Sequence, residues 1–272
     1  MSLTVSNNVN SITRALSMSS NATDASMKRL STGQRINTAK DDAAGLAIAT
    51  RMQANLKSMA VAQRNAGDGL SLAETADAAL GQTIELMTRM KELSTQAANG
   101  SNGATDREKL DSEFQELAAE VTRTIASADF NGVKILAGGA GARDFVVGAS
   151  PTDKITVTTT NLSTATEITD VTAGDITTAA NAEAAMTDID AALDTLTEER
   201  ALYGATMSRF ESAISGLQSQ SAALDSARGR IMDTDYATEM ASMQKTQVLQ
   251  QAATAMLAQA NQRPAAVLSL LR

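Results

Sequence analysis

The sequence predicts a mainly α protein. Long antiparallel helices pack in coiled-coil fashion, the N- and C-terminal helices pair, and a small β-hairpin insert occupies the middle of the chain. Three observations carry this prediction. Apolar residues recur at heptad spacing over long stretches on both sides of mid-chain. Aromatic residues make up only 2%, with no Trp, so the core must come from Ala, Leu, Ile, Val and 13 Met, which suit helical seams better than a thick globular interior. The pattern is also nearly symmetric about a Gly- and Thr-rich middle, running thin helix, polar joint, long helix and then the reverse.

The strongest element spans 189–231. Every seventh residue reads Ile189, Leu196, Tyr203, Phe210, Leu217, Leu224 and Ile231, and a second seam reads Leu193, Arg200, Met207, Ile214, Ser221 and Arg228. Such an a/d pattern predicts one continuous helix of roughly 60 Å, which needs an equally long partner. Leu56, Met59, Ala66, Leu70, Ala73, Leu80, Ile84 and Met87 supply that partner, in a helix running from about Leu46 to Ala98. Gly67 and Gly69 weaken helix by roughly 1 kcal/mol each, yet the heptad phase passes through them unbroken.

The remaining elements follow in order. Residues 3–32 carry a thinner stripe of Val5, Val9, Ile12, Leu16, Thr23, Met27 and Leu30, which Gly33 terminates. Residues 34–45 form a polar joint, with Asp41 and Asp42 at the start of the next helix. After the turn at Asn99–Gly103, Thr105 and Glu108 form a capping box for a helix bearing Leu110, Phe114, Leu117, Val121 and Ile125. Asn131-Gly132 marks a tight turn and Val133–Leu136 a short strand. Phe145–Val147 and Ile155–Thr160 read as strands with Pro151 between them, and the Thr-rich 161–180 as loop or irregular edge. A second polar joint at 232–235 leads to a last helix with Met240, Met243, Leu249, Ala252, Ala253, Met256 and Ala260, perturbed by Pro264 and ending in Val267, Leu268, Leu270 and Leu271.

Composition narrows the function classes. The chain has no Cys and no His, so disulfides are excluded and the commonest metal ligand and general base is missing. Neither a phosphate-cradling Gly motif nor a zinc-protease motif occurs, and acidic pairs such as Glu198-Glu199 and Asp41-Asp42 fall on helix surfaces or caps. No enzyme and no cofactor is expected. A net charge of −8 argues against nucleic acid or an anionic membrane as partner. No apolar run approaches the ~20 residues of a membrane span, and the first ten residues lack the features of a secretory signal. The expectation is a soluble protein, cytoplasmic or exported without a cleaved signal. The thin terminal stripes bury too little apolar area to offset an ordering entropy of about 1–2 kcal/mol per residue. Residues 1–35 and 236–272 are therefore expected to be largely disordered alone and helical when buried between copies.

Arg29–Ala49 (RLSTGQRINTAKDDAAGLAIA) and Gln63–Ala73 (QRNAGDGLSLA) resemble the conserved amino-terminal block of bacterial flagellins. Tyr203–Ala205, Arg209–Ile214, Ala227–Ile231, Asp235–Ala237, Leu249–Ala252 and Ala258–Gln262 resemble the carboxy-terminal one. The resemblance covers roughly 1–136 and 185–272 and implies a self-assembling extracellular filament subunit for swimming motility. It implies terminal coiled-coil segments 1–42 and 234–272 as an inner core, 43–136 and 181–233 as an outer layer of long helices, and 137–180 as a short surface insert without large outer domains. Implied partners are copies of itself or sister flagellins, the flagellar type III export apparatus and its chaperone, and hook-associated junction and cap proteins. A further one is the animal Toll-like flagellin receptor, whose contact region corresponds to Arg89, Leu93 and Glu113. The inner-core residues are then Val5, Val9, Ile12, Leu16, Leu30, Met240, Met243, Leu249, Met256, Leu268 and Leu271. A hook–filament junction protein, or a secreted adhesin using the Thr-rich insert, is the competing expectation.

Overall fold

The computed structural model describes residues 2–270, with side chains described for 10–260. Six helices dominate the described chain: α1 (Ser2–Thr32), α2 (Ala43–Ala98), α3 (Ala104–Ser127), α4 (Thr166–Ala173), α5 (Ala179–Met232) and α6 (Tyr236–Leu270). Two antiparallel hairpins lie between α3 and α4, one of β1 (Asp129–Phe130) with β2 (Val133–Lys134), the other of β3 (Ala142–Val146) with β4 (Lys154–Thr158). The chain divides into two compact units, 57–221 and 1–56 with 222–272, whose boundaries fall inside α2 and α5.

Within the 57–221 unit, α2 and α5 run antiparallel. Contacts step along them in opposite directions: Thr95 with Met186, Lys91 with Asp190, Asp77 with Arg200, Gly69 with Phe210. On α5, Ile189, Leu196, Tyr203, Phe210 and Leu217 are buried, while Leu193, Met207 and Ile214 flank them half-buried. On α2 the buried line is Met59, Ala62, Ala66, Gly69, Ala73, Ala76, Leu80, Thr83, Met87 and Met90, in strict 3,4 alternation; Leu70 and Ile84 lie half-buried beside it. Small residues fill most of that line because large ones arrive from α5. Arg200 sits on the seam and pairs in a two-pronged bridge with Asp77 (2.8 and 3.2 Å), which sets helix register where an apolar residue would permit a slip.

Gly69 is explained by this packing. A Cβ there would lie 2.4 Å from Cζ of Phe210, whose ring is held edge-on by Phe145 of β3 (centroids 5.6 Å apart, planes at 89°). At Gly67 an added Cβ meets nothing within 4 Å. The same substitution therefore has opposite signs two residues apart. Gly67→Ala is expected to stabilise by about 0.5–1 kcal/mol through helix propensity. Gly69→Ala is expected to destabilise by about 1–2 kcal/mol, because overpacking outweighs that gain. Paired denaturant titrations check this, and equal shifts would contradict it.

Three local expectations are corrected. The capping box at Thr105 and Glu108 does not form: α3 begins at Ala104, its N-cap is Gly103, and no side chain caps it. Arg107 instead turns back to donate to the carbonyls of Ala97 and Asn99 (2.7 and 3.2 Å), closing the end of α2. The strand expected at Val133–Leu136 stops at Lys134, and Ile135 and Leu136 are wholly buried in the core. Residues 161–180 are only partly loop: a 3₁₀ turn (Leu162–Thr164) and α4 press Leu162, Ile168 and Val171 into the core, and Ile176 joins them from the connector to α5. The insert therefore shares the long helices' core. Asn131 and Gly132 hold the two-residue turn of the first hairpin at φ 52° and 76°.

In the other unit, the two polar joints pair with each other. Arg35 N–H donates to Met232 O (2.6 Å), Thr234 N–H to Gly33 O (3.0 Å), and the Arg35 guanidinium to Ile231 O (2.7 Å). Ile36, Ala49 and Met232 form a small core, flanked by Leu46 and Ile231. Gly33, at φ 70°, ends α1 as expected. Asp42 accepts from Gly45 N–H (2.8 Å) and opens α2, while Asp235 accepts from the N–H groups of Ala237 and Thr238 (3.0 and 3.3 Å) and opens α6.

Acid should loosen these joints. Hydrogen bonds from the Thr38 hydroxyl, then from backbone N–H groups, hold the Asp41 carboxyl below its ordinary value; Thr238 does the same for Asp235. With folded values below the unfolded one of about 3.9, their contribution is fully present above about pH 5 and is lost as pH falls through the folded values. Asp41→Ala and Asp235→Ala should lower the melting point at pH 7, and the deficit should shrink by about pH 2. A deficit independent of pH would contradict this.

Candidate assembly surface on the terminal helix pair

α1 and α6 pack along their length, and the chemistry of their seam is unusual. The half-buried line on α1 is Ile12, Leu16, Ser19, Thr23 and Leu30, with Ser26 buried among them; on α6 it is Glu239, Met243, Thr246, Gln250, Ala253, Leu257 and Ala260. Both lines keep 3,4 spacing, yet six of their thirteen members are polar. The Ser19 hydroxyl donates to Thr246 O (3.0 Å), the Thr23 hydroxyl to Thr246 Oγ1 (3.2 Å), and the Tyr236 hydroxyl to Leu30 O. Arg29 pairs with Glu239 at 3.6 Å. Each such bond contributes only about 0.5–1.5 kcal/mol net.

Further large apolar side chains lie outside this seam. Met240, Val248, Leu249 and Met256 on α6 and Met18 and Met27 on α1 are exposed, Val248 at 61%. At 100° per residue, Val248 stands almost opposite the Thr246–Gln250 line, and Met240 and Met256 lie on its two sides. A helix with apolar residues around its whole circumference belongs inside a larger body. Charge points the same way: α1 carries Arg14, Asp24, Lys28 and Arg29 in 31 residues and α6 carries Glu239, Lys245 and Arg263 in 35, against 20% charged residues in the chain. Interface cores are depleted of charge in this way.

The site residues read from sequence divide accordingly. Ile12, Leu16, Leu30 and Met243 lie on the α1–α6 seam, half-buried. Met240, Leu249 and Met256 do not; the seam passes instead through Thr246, Gln250, Ala253 and Leu257, and Met27 gives way to Ser26. Counting apolar residues found both seam and outward side chains, whereas only the 3,4 spacing of Glu239, Met243, Thr246 and Gln250 could have found the polar inward ones. The side chains of Val5, Val9 and Leu268, and Leu271 altogether, lie outside the described residues. Of the long seam, Leu80, Ile189, Leu196, Tyr203, Phe210 and Leu217 are buried and Leu56, Leu70, Ile84, Leu224 and Ile231 half-buried.

Arg89 and Glu113 lie on an exposed face and bridge each other at 2.9 Å, with Glu92 also 2.8 Å from Arg89. Leu93 differs from them: at 1% exposure it faces the core, because it follows Met90 on the inward line of α2. Among the described residues no group of three or more metal-capable side chains occurs, and no helix is long and apolar enough to cross a membrane.

Comparison with known proteins agrees with this architecture. Residues 5–140 match the model of the bacterial flagellin N-terminal helical region, and residues 186–271 that of the C-terminal helical region. A flagellin of Halalkalibacterium halodurans is 40% identical over 259 residues, covering 95% of both chains. The flagellar filament 30.7 kDa core protein of Treponema maltophilum is 34% identical over 271 residues, again covering 95% of both. The crystal structure of Bacillus cereus flagellin superimposes with a TM-score of 0.51 at 29% identity, covering 66% of this chain and 94% of that one. With matches to both terminal regions and to relatives of nearly its own length, this chain belongs to the bacterial flagellin family.

Proposed function

We propose that the chain is a structural, non-catalytic subunit of a bacterial flagellar filament. Its α1 and α6 form the inner layer of the polymer and become firmly ordered only as copies add. One observation supports the reading: the seam of the terminal pair mixes apolar residues with hydroxyls and an ion pair, while further Met, Val and Leu side chains face away from it. In this reading 1–42 and 234–272 build the inner core, 43–136 and 181–233 the surrounding layer, and 137–180 a short surface insert, which makes a thin, rather smooth filament. Family membership supports growth from copies of this chain or sister flagellins, and export through the flagellar type III channel. The same membership supports contact with hook-associated junction and cap proteins at the filament ends.

The test is polymerisation of the purified chain, concentrated with a kosmotropic salt that strengthens apolar burial. Long, sedimentable filaments under the electron microscope are expected. A chain that stays monomeric at every concentration would favour an adhesin, and one that adds only to the ends of other filaments would favour a junction protein.

A further inference from the structure

The chain lacks Cys, His and Trp, so its most readily oxidised side chains are its 13 methionines. Their placement is sharply divided. Among the described residues, four are exposed: Met18 (71%), Met27 (54%), Met240 (42%) and Met256 (60%). All four lie on α1 and α6. The other described methionines are shielded, Met59, Met87, Met90 and Met232 buried and Met52, Met186, Met207 and Met243 half-buried.

We propose that Met18, Met27, Met240 and Met256 are sites of reversible oxidation in the unassembled chain, by peroxides or hypohalous acids, and that their sulfoxides block addition of the chain to a polymer. This inference rests on the reading that the outward faces of α1 and α6 are buried between copies. With hydrogen peroxide, the thioether sulfur attacks one oxygen: an S–O bond forms and the O–O bond breaks. The sulfur loses two electrons, and the departing oxygen takes up the proton and leaves as water. A flexible apolar side chain becomes a polar one with a strong acceptor oxygen, and burying that oxygen without a donor is unfavourable. Leu would present similar apolar area without this chemistry, so the device depends on Met at these four positions. Assembly reverses the exposure, and subunits already in a polymer would be protected.

The experiment treats unassembled chain with graded hydrogen peroxide, maps sulfoxides by peptide mass spectrometry, and then measures the critical concentration for polymerisation. The four exposed methionines are expected to oxidise on the order of tenfold faster than Met87 and Met90, which wait for the fold to open. The critical concentration is expected to rise at least tenfold, to recover after methionine sulfoxide reductase, and to stay unchanged by peroxide in a variant carrying Met18→Leu, Met27→Leu, Met240→Leu and Met256→Leu. If Met87 and Met90 oxidise as fast as the exposed four, or if chain oxidised at all four polymerises normally, the inference is overturned. Untreated chain that does not polymerise at all would instead overturn the filament reading. Should the fourfold variant not assemble, the reductase rescue decides the matter on the native sequence.

Discussion

Replacing Val248 by Asp leaves the isolated chain folded and abolishes its polymerisation. Val248 is 61% exposed and faces away from α1, so in the free chain a carboxylate there remains in water. Surface substitutions of this kind change stability by no more than about 0.5 kcal/mol. In a polymer that buries this face, the same carboxylate would be desolvated, with only Lys245, three residues back on α6, near enough to offset part of that cost. An uncompensated buried charge costs several kcal/mol, and every 1.4 kcal/mol is tenfold in affinity. The critical concentration is therefore expected to rise at least about a hundredfold, while the melting curve of the monomer is unchanged. Sedimentation and calorimetry on the same preparation check both halves. A variant that assembles normally would place Val248 on a free surface and remove the strongest support for the inner-layer reading.

The largest stability effect should come from Phe210. Its ring is wholly buried, fills the space left by Gly69 and meets Phe145 of the β3–β4 hairpin edge-on. Phe210→Ala should cost about 3–5 kcal/mol. Because one ring supports both the α2–α5 seam and the hairpin, the loss should also weaken the hairpin, which Ile155 and Val157 in the core and Asn65 donating to Val146 O (3.1 Å) hold as well. A double-mutant cycle sharpens the argument. Gly69→Ala is destabilising beside Phe210, but in the Phe210→Ala background its Cβ enters vacant space and its sign should reverse, a coupling of about 2 kcal/mol or more. Additive effects would show that the two residues do not meet.

What the sequence made legible, and what it hid, follows from how each feature is encoded. The α5 seam was readable because large apolar residues mark every seventh position, Ile189, Leu196, Tyr203, Phe210 and Leu217, all buried. Its partner line on α2 was read only in part, since Ala62, Gly69, Ala76 and Thr83 are buried without looking like a core. The reason for Gly69 lies in Phe210, 141 positions away, and no local pattern encodes it. α4 escaped because its apolar signal is only Ile168 and Val171 among Thr residues, and it holds together through the core beneath it. The capping box failed because the turn before α3 was already closed by Arg107 and Asn102 donating to carbonyls at the end of α2. On α6 apolar content marked Met240, Leu249 and Met256, which face outward, and Met243, which faces the seam; the polar seam positions Thr246 and Gln250 carried no such signal.

The measurement that bears most directly on this account is amide hydrogen exchange on unassembled chain and on sedimented polymer. The α1–α6 seam is held by a few hydroxyl bonds and half-buried apolar contacts, too little for firm ordering of more than 60 residues alone. Amides of α1 and α6 are expected to exchange freely in the unassembled chain while those of α2, α3 and α5 within 57–221 are protected, and to become protected throughout in the polymer. Equal protection of α1 and α6 in both states, or strong protection in a chain that never polymerises, would contradict the claim that these helices fold by assembling.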